Sequence, residues 1–89
     1  MRLLVYFSGI VQGVGMRYFI QKIALSCQLT GYVKNLPDGR VEALLEGEES
    51  KVQQAITRMR NGPRAAAIKD ITVKPLKDAQ HSNDFSVTF

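Results

Sequence analysis

The chain has 89 residues, with 12 Lys or Arg against 8 Asp or Glu, so its formal net charge is +4 and anionic partners are favoured. This length fits one domain with one core; the single cysteine excludes an internal disulfide, and no Cys/His cluster offers metal ligands. No run approaches the roughly 20 apolar residues of a membrane span, and no signal peptide is apparent, so we expect a single soluble, cytoplasmic domain over residues 1–89.

The N-terminal part of the chain predicts a strand followed by a helix. Leu3, Val5 and Phe7 recur at every second position, which is the period of a half-buried strand. From residue 16 to residue 27, apolar side chains follow the i, i+3, i+4, i+7 spacing of a helix with one buried face. Cys27 ends this pattern, and we expect it in the core.

The middle of the chain predicts a hairpin and a second helix. Residues 30–36 and 40–46 are strand-like and flank a Pro-Asp-Gly turn at 37–39, where proline presets φ and glycine accepts a positive φ. Two glutamates at 48–49 suit the positive N-terminus of a helix, and Asn-Gly-Pro at 61–63 ends it.

Two further strands complete the predicted fold. Residues 67–73 and 85–89 are strand-like, and the polar stretch 77–84, which contains His81, is predicted to be a solvated loop. The order β-α-β-β-α-β with an extra C-terminal strand predicts an α+β, ferredoxin-like split βαβ sandwich, in which two helices pack on one face of an antiparallel sheet. This fold hosts enzymes, metal chaperones and RNA-binding modules, so the function must be inferred from a site.

The segment between the first strand and the first helix, SGIVQGVGMR at 8–17, predicts an anion site. Glycines let backbone amides approach a ligand, a helix N-terminus offers unpaired donors, and an arginine fork matches phosphate oxygens. The segment lacks the lysine and hydroxyl of a P-loop, and Tyr18 stands where a dinucleotide fingerprint needs its third glycine. A tight turn with a solvated arginine is the alternative. The predicted phosphate-binding residues are Gln12, Gly13, Val14, Gly15, Met16 and Arg17.

A second segment, GYVKN at 31–35, places the amide side chain of Asn35 just before the predicted turn of the hairpin. Taken alone, Asn35 is more simply explained as a turn residue whose side chain bonds its own backbone.

Together the two segments resemble the signatures of the acylphosphatase family. Residues 9–17 are similar to the first signature, in which a glycine and any residue precede VQGV, any residue, a phenylalanine or less often a methionine, and an arginine. Residues 31–35, with Gly39, Val41 and Gly47, resemble the second signature position by position. Met16 replaces the more usual phenylalanine, and either side chain fills a buried helix position. The resemblance covers the whole chain.

The resemblance implies an enzyme that hydrolyses the carboxyl-phosphate bond of acyl phosphates to a carboxylate and inorganic phosphate, without a metal or cofactor. In that family the arginine matching Arg17 binds phosphate with loop amides, and the asparagine matching Asn35 orients the attacking water. A carboxylate is a good leaving group, so positioning and charge stabilisation can carry most of the catalysis. Residues 8–18 contain no histidine or carboxylate, as expected if no strong base is required.

Two other functions remain open at this stage. A nucleic-acid-binding module would suit the fold and the basic charge, but such modules expose aromatic residues within a basic run, whereas Phe7, Tyr32, Phe85 and Phe89 are scattered. A non-catalytic or carbamoyl-phosphate-handling domain of a larger maturation enzyme would carry the same signatures, and the lack of an attached domain favours a stand-alone enzyme. We expect a monomer whose partners are an acyl phosphate and inorganic phosphate, with no nucleic acid and no membrane.

Overall fold

The computed structural model describes residues 1–77 and 84–88, which form five strands and two helices. The strands are β1 (Arg2–Ile10), β2 (Thr30–Asn35), β3 (Val41–Glu46), β4 (Ala67–Pro75) and β5 (Phe85–Thr88), and the helices are α1 (Met16–Ser26) and α2 (Glu49–Met59). Every predicted element is present, with bounds that differ by a few residues. The predictions for His81 and Phe89 fall on residues outside the described part.

The strands form one sheet in the order β4-β1-β3-β2-β5, which confirms the ferredoxin-like α+β fold with one difference in strand direction. The pairs β1·β3, β1·β4 and β2·β3 are antiparallel, as predicted. β5 is parallel to β2, so the sheet is mixed. β4 runs antiparallel to β2 and therefore stops at the end of the sheet where β2 starts. β5 starts at that same end, on the opposite edge of the sheet, so it runs parallel to β2.

The core lies between the sheet and the two helices. Leu3, Val5 and Phe7 of β1 are buried, as their period of two predicts. Cys27 is also buried, which confirms its assignment to the core. No helix in the described residues has the length and apolar character needed to cross a membrane. The helices bury the face formed by Met16, Ile20, Ile23 and Ala24 of α1 and by Val52, Ala55 and Met59 of α2.

The opposite side of the sheet, here called the open face, carries a polar network around β3. The Tyr32 hydroxyl donates to Glu42 Oε2 at 2.9 Å, and Lys34 Nζ lies 3.6 Å from the same oxygen. Arg2 Nε lies 3.2 Å from Glu46 Oε2. These neighbours cover both carboxylates, so Glu42 and Glu46 are only 9% and 8% exposed although they face away from the helices. The partly desolvated ion pairs join β3 to β1 and β2.

The surroundings of Tyr6 and Tyr32 on the open face raise the pKa values of both hydroxyls. Burial, followed by the hydrogen bond to Glu42, raises the pKa of Tyr32 from 10.0 to about 12, because both favour the neutral hydroxyl. A hydrogen bond to Glu42 also raises the pKa of Tyr6.

Stability should therefore decrease in alkaline solution, in part through Tyr32. Above pH 10 the unfolded chain loses the Tyr32 proton while the folded protein retains it until about pH 12, so the free energy of unfolding falls across this window. Urea unfolding at several pH values should show a shallower decline for Tyr32→Phe than for the parent. Tyr18→Phe, which removes an exposed tyrosine hydroxyl, should keep the parent's decline. Equal declines in Tyr32→Phe and the parent would contradict this account.

Candidate active site

The loop at 11–15 carries the chain from β1 to α1, and its two glycines are exposed. Gly13 and Gly15 have φ angles of 73° and 79°, in the left-handed region that glycine adopts without a steric penalty. Apart from the glycine itself and its two chain neighbours, no described residue has an atom within 4 Å of the position that a Cβ would occupy at Gly13 or Gly15. The backbone at both positions is therefore open to a ligand.

The N-terminus of α1 has hydrogen-bond donors that the helix itself does not use. Its first backbone bond runs from the amide of Phe19 to the carbonyl of Gly15 at 3.0 Å, so the amides at 16–18 have no acceptor within the helix. No side chain of the described residues caps this end, and the first turn holds a cation, Arg17, and no acid. The first turn of α2, by contrast, contains Glu49. The positive end of the α1 dipole therefore favours a bound anion.

Arg17 is anchored to the edge of the sheet. Its Nη1 donates to the carbonyl of Thr88 in β5 at 2.8 Å. The Thr88 hydroxyl in turn donates to the carbonyl of Val33 in β2 at 3.5 Å. The parallel strand β5 thus fixes the direction of the half-buried Arg17 side chain.

Asn35 is the last residue of β2 and pairs with Val41 of β3. Its Oδ1 is buried and has no hydrogen-bond partner among residues 1–77 and 84–88. A buried acceptor without a partner costs about 1 to 3 kcal/mol, which is offset when a water or ligand donates to it. Asp38 supplies the side-chain bond of the turn instead, since its Oδ1 accepts from the amide of Arg40 at 3.0 Å. Asn35 Oδ1 does not make the local turn bond that was its alternative explanation.

These features meet in one small cleft. Its volume is about 90 Å³, below the roughly 300 to 1,000 Å³ of pockets that enclose drug-sized ligands, so it suits a group such as one phosphate. None of the described residues that line it carries a carboxylate or an imidazole. The cleft is lined by Val11, Gly13, Gly15, Met16, Arg17, Tyr18 and Asn35.

Two of the predicted phosphate-binding residues do not line the cleft. The side chain of Gln12 donates through Nε2 to the carbonyls of Leu36 and Arg40, at 2.8 and 2.9 Å. Val14 is partly buried and packs against the core. Gln12 therefore ties the loop to the hairpin that carries Asn35, and a contribution of the Gln12 and Val14 amides to an anion site stays a prediction.

Sequence reasoning missed three residues that shape the cleft. The sequence indicates the burial of Val11 only weakly. Val11 continues the alternation of buried odd-numbered residues in β1, but it lies beyond the irregular pairing at Ser8 and Gly9. Tyr18 lies two positions after Met16, away from the buried face of α1, so its exposure could have been inferred. The anchoring carbonyl of Thr88 has no sequence signal, because any residue supplies a carbonyl.

The ionisable groups whose pKa values are shifted lie outside the cleft, and the described residues form no metal-binding cluster. Within the described part of the chain, no three His, Cys, Asp or Glu side chains lie close enough to hold a metal ion. The carboxyl of Asp38, whose pKa is lowered by hydrogen bonds from Arg40, belongs to the hairpin turn. Tyr6 and Tyr32 lie on the open face.

Comparison with known proteins gives consistent matches over the whole chain. The family model described as acylphosphatase matches residues 3–87. An acylphosphatase from Caldivirga maquilingensis is 43% identical over 89 residues, which are 99% of this chain and 94% of that protein. The crystal structure of acylphosphatase from Bacillus subtilis has a TM-score of 0.96 at 38% identity and covers 99% of this chain and 98% of that one. Full-length HypF in its phosphate- and nucleotide-bound form has a TM-score of 0.89 at 27% identity, covering 99% of this chain but 12% of HypF.

Removal of the Gln12 side chain should destabilise the protein. Gln12→Ala deletes two hydrogen bonds between the loop and the hairpin, and we expect the free energy of unfolding to fall by about 1 to 2 kcal/mol. The matched control is Gln21→Ala, because Gln21 Nε2 makes one long bond of 3.4 Å to the carbonyl of Phe85 and alanine favours the helix. Urea unfolding followed by circular dichroism measures both. Equal stability losses in the two variants would contradict the stabilising role of the two Gln12 hydrogen bonds.

Proposed function

Because this chain belongs to the acylphosphatase family, we propose that it hydrolyses acyl phosphates in the cleft between the N-terminus of α1, Arg17 and Asn35. The observation that carries this proposal is that amide donors at the start of α1 and Asn35 Oδ1, which has no partner among the described residues, meet in one cleft of about 90 Å³. The donors suit a phosphoryl group and the acceptor suits a water molecule. Hydrolysis needs both reactants side by side.

The phosphoryl group is bound by backbone and side chain together. Its oxygens accept hydrogen bonds from amides of the loop and of the first turn of α1, and the guanidinium of Arg17 supplies a further charged donor. The bond from Arg17 Nη1 to Thr88 holds the guanidinium in place before substrate arrives. Such preorganised donors stabilise the charge that spreads over the equatorial oxygens in the transition state.

Asn35 orients the nucleophile. A water molecule donates one hydrogen to Asn35 Oδ1, which directs an oxygen lone pair toward phosphorus. The water oxygen forms a new P–O bond while the bond from phosphorus to the acyl oxygen breaks, and the electron pair leaves with the carboxylate. The water proton passes to a phosphate oxygen, so the products are a carboxylate and inorganic phosphate.

This chemistry needs no strong base and no metal. Carboxylic acids have pKa values of about 4, so the leaving carboxylate is stable at neutral pH without protonation. The described residues that line the cleft include no carboxylate and no imidazole, which is compatible with this chemistry. Phosphate, as product, should bind the same donors and inhibit competitively.

The remaining expectations about partners stay predictions. The net charge of +4 is compatible with nucleic acid, so the expectation that nucleic acid is not a partner stays a prediction. A monomeric state and a cytoplasmic location also stay predictions.

Substitution of Arg17 and Asn35 should separate binding from turnover. Arg17→Ala is expected to weaken competitive inhibition by phosphate and to lower kcat/KM, and Arg17→Lys should restore little because an ammonium lacks the planar fork. Asn35→Ala is expected to lower kcat by about 100- to 1,000-fold while the inhibition constant of phosphate stays close to the parent value. Steady-state hydrolysis of benzoyl phosphate measures all three variants.

The controls for this experiment are Arg64→Ala and Asn61→Ala, which remove exposed side chains of the same types outside the cleft. Both should retain the parent's kinetics. Folded Arg17→Ala and Asn35→Ala variants with the parent's activity would refute the assigned roles.

Chelation should leave activity unchanged. If amides and a guanidinium provide the electrostatic stabilisation, turnover of benzoyl phosphate is the same after dialysis against EDTA as before it. Added Mg²⁺ or Zn²⁺ should likewise not raise the rate. A loss of activity in EDTA that a divalent cation restores would contradict the metal-independent mechanism.

A further inference from the structure

The cleft is too small to enclose a whole acyl phosphate. With a volume of about 90 Å³ it accommodates the phosphoryl group, so the acyl half must extend through the mouth of the cleft. The residues at that mouth therefore meet the only part of the substrate that differs from one acyl phosphate to another.

One side chain dominates the exposed part of the cleft. Val11 and Met16 are each 1% exposed and belong to the core. Of the lining residues, Gly13, Gly15 and Tyr18 are exposed, and the two glycines have no side chain. Tyr18 is 60% exposed, so among the described residues that line the cleft it alone offers a large exposed side chain to an acyl group that leaves the cleft.

Packing does not explain an aromatic residue at position 18. α1 buries Met16, Ile20, Ile23 and Ala24, whereas Tyr18 lies two residues, or about 200°, away from Met16 on the helix. Single exposed apolar residues are common on proteins, and Leu25 of the same helix is another at 55% exposure. Tyr18 differs from Leu25 because it lines the cleft beside Arg17.

We propose that Tyr18 binds the acyl half of the substrate and gives the enzyme a preference for acyl phosphates with a flat, apolar acyl group. This inference rests on the proposed function of the same cleft. An aromatic acyl group stacked on the Tyr18 ring gains contact area that an acetyl group does not provide. The hydroxyl is not required for this contact, since stacking uses the face of the ring.

The kinetic test is the ratio of kcat/KM for benzoyl phosphate to that for acetyl phosphate. Tyr18→Ala should lower this ratio by about three- to tenfold, through KM for benzoyl phosphate rather than kcat. Tyr18→Phe keeps the ring and should keep the parent's ratio. Leu25→Ala is the matched control, since it removes an exposed apolar side chain from the same helix outside the cleft and should also keep the ratio.

A binding measurement separates this inference from the proposed hydrolysis. Phenacylphosphonate and acetonylphosphonate replace the bridging oxygen of benzoyl and acetyl phosphate with a methylene and are not hydrolysed. Calorimetry gives the dissociation constants of the two phosphonates, and their ratio measures the preference for phenacylphosphonate. Tyr18→Ala should lower this preference by about three- to tenfold relative to the parent. A parent that hydrolyses neither acyl phosphate would overturn the proposed function, while the phosphonate ratio would still decide the role of Tyr18. An unchanged ratio in Tyr18→Ala, or an equal loss in Leu25→Ala, would overturn the role of Tyr18.

Discussion

The register of β1, β3 and β2 is the constraint on which the rest of the structure depends. Phe7 pairs with Val41, and Val41 pairs with Asn35, so the three strands place these residues in one row across the sheet. The loop that follows β1 and the end of β2 are consequently neighbours at the same end of the sheet. A slip of one residue in either pairing would move buried side chains to the open face, so the hydrophobic core enforces the register.

Gln12 holds the loop after β1 at a fixed distance from the hairpin of β2 and β3. Its two hydrogen bonds hold the loop against the hairpin at the point where Asn35 leaves β2. Arg17 is held from the other side by Thr88 at the end of β5. The loop, the hairpin and the C-terminal strand thus each restrain one part of the cleft, which is the rigidity that catalysis by positioned donors requires.

Two features of the cleft would be relieved by a ligand. In the described residues the positive end of α1 has no acidic cap, and Asn35 Oδ1 is buried without a partner. A buried acceptor without a partner costs stability, and a helix N-terminus favours an anion. Under the proposed function, a phosphoryl group and its attacking water would satisfy both features together.

The core and the element order were predictable from the chain because their signals are local. The apolar period of β1, the helical spacing from Met16 and the turn at 37–39 each depend on neighbouring residues and on backbone preferences. The glycine-rich segment and Asn35 could likewise be identified as candidates from their residue types and their resemblance to family signatures. The parallel direction of β5 could not be inferred with equal ease, because it depends on where the chain crosses the sheet.

The sequence by itself therefore determined the elements, the buried faces and the chemical groups available for an anion site. Only the tertiary structure decided that Gln12 faces the hairpin, that Arg17 bonds to Thr88, and that Tyr18 lines the same cleft as Asn35. The physical reason is that the bonds of Gln12 and Arg17 end on backbone carbonyls distant in sequence. Carbonyls are identical in every residue, so only the folded chain shows which of them a side chain reaches.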